Sequence, residues 1–184
     1  MRPINLYIFV HDDVPFSTVK VLGRSYFKDF TEEITKVTGR PFVFNELKQI
    51  PGMTDFNYRN EDVEDVLRRW EIAAQSYMQT NNLSWDKTDR YILVTAEGLN
   101  DRVMGVAYEK RPAVIATVQH YQVIAHEVGH SFNATHEDAE LSSNPWGAVC
   151  ETYLYPQIGA ARAKCYRYTQ KNRERIAAYL SDAP

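Results

Sequence analysis

What the chain lacks narrows it first. No apolar run approaches the roughly 20 residues that a membrane-spanning helix needs; the longest are of the kind INLYIFV, Ile4 to Val10. Basic residues are not in surplus, with 21 Lys and Arg against 24 Asp and Glu and a net charge of -3. A dedicated nucleic-acid binder usually carries a basic patch or stripe, so nucleic acid is not the expected partner. Internal repeats, low-complexity blocks and Gly/Ser-rich linkers are also missing, and 184 residues then read as one domain, 1–184. The start, Met1-Arg2-Pro3, runs almost at once into a strand-like segment without a small-residue cleavage site, so no signal peptide is read there. Cysteine is scarce. Cys150 and Cys165 either close one loop, stabilising by roughly 3 kcal/mol, or stay reduced.

What is present supports a packed core, with 44% hydrophobic and 24% charged residues. Twelve tyrosines suit half-buried strands and clefts. Asn5 to Val10 alternates as a strand. Ser17 reads as the N-cap of a long helix to about Thr38, closed by Gly39-Arg40-Pro41. FVFNEL, Phe42 to Leu47, alternates as a second strand. After a loop from Pro51 to Asn60, Glu61 to Gln79 puts Val63, Val66, Leu67, Trp70, Ala73, Ala74 and Tyr77 on one helical face. Three strands follow: Tyr91–Thr95, Met104–Tyr108 and Ala113–Val118. The first and third are apolar enough to be inner strands, and the charged flanks of the second suit an edge. A helix from Tyr121 to about Asn133, an irregular segment from Ala134 to Trp146 and a last helix over Thr169–Leu180 complete the chain. The expected class is α/β (α+β), a mixed sheet with helices around it.

Three of the five histidines fall in HEVGHSFNATH, His126 to His136. His126 and His130 are four apart, so a helix puts both imidazoles on one face, one turn apart, as two ligands of one metal require. Glu127 points elsewhere and suits a general base beside a metal-activated water. To return a third ligand, the chain must leave the helix and reverse. Asn133 is one of the few residues that tolerate the left-handed conformation such a reversal uses. His136 follows three residues later. Three imidazoles leave one position open, as a hydrolytic Zn2+ site does.

The string resembles the HExxHxxGxxH signature of metzincin zinc metallopeptidases, with Asn133 where the Gly usually stands. The order of elements over residues 4 to 136 is similar as well. The resemblance implies a metzincin-like twisted mixed sheet whose antiparallel edge strand, around Gly105 to Tyr108, aligns a peptide or protein substrate. It implies an upper subdomain of about 1–133 and a small lower one, 134–184, ending in a helix. It further implies a zinc-dependent endopeptidase, with zinc held by His126, His130 and His136 and with Glu127 as the base. Metzincins carry a Met-containing turn beneath the metal, yet no Met follows Met104. The expected equivalent is Gly147-Ala148-Val149-Cys150, with Cys150 in place of the Met. Tyr153 or Tyr155 then lies close enough for a role near the substrate. A mature exported or secreted protein is expected, with a cytoplasmic one left open, and a monomer.

Two other readings stand beside this one. Glu151 lies twenty-one residues after His130 and would be the third ligand of a gluzincin-like site, leaving His136 incidental. Alternatively the chain is a zinc-containing binding module without turnover. His11 and His120 read as ordinary surface or strand-end residues. Glu137 and Asp138 read as a solvated acidic turn, Trp146 as packing near the turn, and Asp12 with Asp13 as too few acids for a calcium loop.

Overall fold

A computed structural model describes residues 1–143, 146–156, 162–181 and 183. A five-stranded sheet runs in the order β2-β1-β3-β5-β4. β1 (Ile4–Val10), β2 (Phe42–Leu47), β3 (Asp89–Thr95) and β5 (Ala113–Thr117) are parallel, and β4 (Gly105–Ala107) pairs antiparallel to β5, with Val106 opposite Ile115. The mixed sheet and its antiparallel edge are those expected.

Side chains alternate across a strand, and the two faces fill two cores. Ile92 and Val94 of β3 join Ile4, Leu6 and Ile8 of β1 against α2 (Lys28–Thr38), α4 (Tyr121–Ser131) and α5 (Gln170–Ser181). Tyr91 and Leu93 join Phe9 against α3 (Val63–Thr80), where Phe9 meets Trp70 edge-on at 5.3 Å. All seven residues of β3 are buried, as a central parallel strand should be. Among the described residues no helix is long and apolar enough to cross a membrane.

The long helix expected from Ser17 is not continuous. A four-residue helix, α1 (Phe16–Val19), starts after Pro15 as its N-cap, and Ser17 lies inside it. The fixed φ of proline, here -58°, sets up the entry that a serine side chain was expected to provide. A π-helical turn over Gly23–Phe27 precedes α2, so the pitch changes at the weakest helix former of the stretch. α3 starts two residues later than expected because Asp62 is its cap, accepting from the Asp65 N–H at 3.0 Å. The segment after α4 is not wholly irregular: β6 (Leu141–Ser143), β7 (Val149–Glu151) and β8 (Ala163–Lys164) form a small second sheet. Residues 144 and 145 of that segment lie outside the described residues.

Candidate metal centre

α4 runs beneath β4 and carries His126 and His130 one turn apart. Its end is a reversal. Asn133 adopts φ 77°, and the Ala134 N–H reaches back to the Gly129 carbonyl at 2.9 Å. The Asn therefore serves the turn that the sequence required of it, and His136 returns to the other two imidazoles. The three Nε2 atoms form a near-equilateral triangle, with His126–His130 at 3.1 Å, His130–His136 at 3.0 Å and His126–His136 at 2.9 Å.

The tautomers of two of them follow from their other nitrogens. His126 Nδ1 donates to the Tyr153 carbonyl at 2.7 Å, and His130 Nδ1 donates to the Ala134 carbonyl at 2.9 Å. A carbonyl only accepts, so both protons sit on Nδ1 and both Nε2 atoms present lone pairs. Burial, and then the neighbouring imidazoles, push the pKa of His126 down to about 3 and that of His130 to about 4, so both are neutral at pH 7. Converging lone pairs repel unless a cation lies between them. Zinc–nitrogen bonds of about 2.0–2.1 Å in tetrahedral geometry separate ligand atoms by roughly 3.3 Å, within a few tenths of the observed triangle. The donor set fits zinc.

Glu127 faces the other wall of the cleft. It is 8% exposed, and burial alone pushes its pKa up to about 8. No hydrogen bond to its carboxylate is formed by the described residues. Its side chain lies directly under Gly105 of β4: a Cβ placed there would stand 2.7 Å from Glu127 Cγ. The edge strand can pass over the carboxylate only as glycine. A cavity of about 440 Å³ opens beside these groups, lined among others by Gly105, Gln122, His126, Glu127, His136 and Tyr155.

Cys150 is fully buried in β7 and bonded to Cys165, which answers the question the sequence left open. The backbone that reaches His126 comes in the turn Thr152–Tyr155, through the Tyr153 carbonyl. Leu154 and Tyr168 pack beneath α4, and the Tyr168 hydroxyl donates to the Ala125 carbonyl at 2.7 Å. Sequence reasoning missed Tyr168. Tyr153 is buried and its hydroxyl is pushed well above its ordinary pKa, whereas Tyr155 is part-exposed and lines the cavity.

Glu151 is not a third ligand. It is 1% exposed and its carboxylate is held by Lys164 at 2.5 Å and Arg162 at 3.4 Å, while His136 occupies the third corner. Trp146, expected to pack, is 91% exposed. Glu137 is exposed as expected, but Asp138 is drawn to Arg175 and Lys171 of α5. Asp13 is a brace, accepting from the Tyr58 hydroxyl and the Ala96 N–H.

Residues 54–180 match the model of a family described as Reprolysin_5, metallo-peptidase family M12. The chain belongs to that family. It is therefore a metallopeptidase, with peptides or proteins as substrates, and its three-histidine cluster fits a metzincin-like zinc site. The fold is similar to that of a zinc-dependent peptidase from Methanocorpusculum labreanum, with a TM-score of 0.53 at 20% identity over 93% of this chain and 99% of that one. No curated protein sequence matches significantly.

Proposed function

We propose that this M12 metallopeptidase is a zinc-dependent endopeptidase of metzincin type, with His126, His130 and His136 holding zinc and Glu127 acting as general base. The observation that carries the reading is the convergence of three imidazole Nε2 atoms beside a buried carboxylate that no described neighbour neutralises. When bound, zinc supplies Lewis acidity to the scissile carbonyl and to the attacking water.

The chain's own residues do the rest. β4 is paired on one side only, by β5, and its outer edge can pair with an extended peptide. That places the peptide across the cavity wall formed by Gly105, directly over Glu127. The Glu127 carboxylate takes a proton from the attacking water and later delivers it to the leaving amine. Its burial excludes bulk water and gives it a proton affinity suited to both transfers near neutral pH. Tyr155 lines the same cavity, and its hydroxyl would serve as a donor to the developing oxyanion. The Cys150–Cys165 disulfide supports an exported protein.

Casein or peptide-library digestion, abolished by a chelator and restored by zinc, tests the reading. Tight stoichiometric zinc with no turnover on any peptide would favour a non-catalytic binding module.

A further inference from the structure

α4 fixes His126 and His130 relative to each other, because both stand on one helix. His136 has no such support. It lies beyond the reversal, on a coil, with an exposed side chain. Its place depends on whatever holds the backbone from 133 to 136: Asn133 and Ala134 bond back to α4, and Thr135, the residue just before His136, is held by α5. Asn172, 0% exposed, bonds both ways to the residue just before the ligand: its Oδ1 accepts the Thr135 N–H at 2.8 Å and its Nδ2 donates to the Thr135 carbonyl at 3.0 Å. One turn further along, Arg175 Nε donates to the Asn133 carbonyl at 2.7 Å. At the start of the helix, Thr169 caps it by accepting the Asn172 N–H and ties it to the loop by donating to the Asp138 carbonyl at 2.6 Å.

The two-way bond is what makes Asn172 specific. A side-chain amide offers one acceptor and two donors, so it can pair with both polar groups of a single peptide residue, as a neighbouring strand does. That fixes the orientation of Thr135 and with it the direction in which the next Cα–Cβ bond leaves the chain. An aspartate can only accept, and an alanine does neither.

We propose that Asn172 is a positioning residue that sets the third metal ligand, His136, so that metal retention depends on the docking of α5. The inference rests on the reading of His136 as a ligand. Groups that orient metal ligands typically change affinity by about 10–100-fold when removed.

The test is a double-mutant cycle read as zinc dissociation constants, measured by chelator competition on the full chain for the wild type, Asn172→Ala, His136→Ala and the double variant. The expected result is a loss of about 10–100-fold for Asn172→Ala in the wild-type background and less than about two-fold in the His136→Ala background. A merely structural role would lower affinity alike in both backgrounds, and that result, or an unchanged affinity in the single variant, overturns the proposal. Should Asn172→Ala not fold, Asn172→Asp, which keeps the acceptor and loses the donor, goes through the same cycle, and the same two results support or overturn the proposal. If His136→Ala itself leaves zinc binding unchanged, the third-ligand reading falls and the proposal with it. A weakened His136→Ala beside an unaffected Asn172→Ala removes the proposal alone.

Discussion

Glu127 holds its proton in the fold, and the metal-free protein should show this as a pH-dependent stability that Glu127→Gln abolishes. Burial raises the carboxyl from an ordinary 4.5 to about 8. A carboxyl raised on folding stabilises the fold where both states are protonated, below about 4.5. It loses that contribution as pH rises, because the unfolded chain gives up the proton while the fold retains it. The slope is about 1.4 kcal/mol per pH unit until the folded pKa is reached. Between pH 6.5 and 8 the loss is roughly 1.5 kcal/mol, which for a chain of this size lowers Tm by about 3–6 °C. His126 and His130 act in the opposite sense. Their folded pKa values lie below the ordinary 6.5, so stability falls as pH drops from 6.5 toward 4 and 3. The zinc-free wild type should therefore be most stable near pH 6.5. Thermal melts followed by circular dichroism in chelator, from pH 5 to 8, read both limbs. Glu127→Gln keeps the shape of the side chain and cannot ionise, so its alkaline limb should flatten while its acid limb remains. Parallel curves for the two proteins between pH 6.5 and 8 would refute the argument. Added zinc should shrink the alkaline limb of the wild type, since an adjacent dication favours the carboxylate.

Gly129→Ala should lower Tm even though alanine is the better helix former, because its Cβ would stand 2.7 Å from the Tyr168 ring and 2.9 Å from Leu154; a loss of about 1–3 kcal/mol is expected, and a raised Tm would contradict the packing. Arg90→Met removes a fully buried guanidinium that donates to the Ser131 hydroxyl and carbonyl at the end of α4, and leaving those acceptors unpaired should cost about 3 kcal/mol in denaturant unfolding, whereas a change under about 1 kcal/mol would show the clamp to be idle. Replacing both Cys150 and Cys165 by Ala opens a loop with a sequence separation of 15, and Tm should fall by about 6–12 °C, while an unchanged Tm would mean the loop is held without the bridge.

The histidine cluster was legible because it is local. His126, His130 and His136 span eleven residues, one helix and one turn, and Asn133 announced the reversal at which it takes φ 77°. The sheet was legible for the same kind of reason, since alternation marks β1 and β2 and continuous apolar runs mark the inner strands β3 and β5, each within a single segment. Entry to the first helix was not, because Pro15 and Ser17 both make good starts, and the helix takes Pro15 as its N-cap without a side-chain cap. The floor and the braces of the site were hidden for a different reason. Tyr153 reaches His126 across 27 positions, Asn172 reaches Thr135 across 37, Arg90 reaches Ser131 across 41 and Tyr168 reaches Ala125 across 43. None of these pairs has a periodic or spacing signature, since each exists only after two elements have packed.

That division has a consequence for how the site tolerates change. The motif supplies the donor atoms, but the carbonyl that fixes the tautomer of His126 and the amide that orients the residue before His136 both come from the chain beyond β7. Metal binding should therefore be lost by two routes that look different in sequence and alike in function. Substitution of a ligand deletes a lone pair outright. Displacement of the Thr152–Tyr155 turn or of α5 leaves all three histidines present, yet frees the His126 proton to choose either nitrogen and the His136 ring to swing from the triangle. A chain with HEVGHSFNATH intact and its C-terminal helix undocked would carry the full signature and still hold zinc poorly.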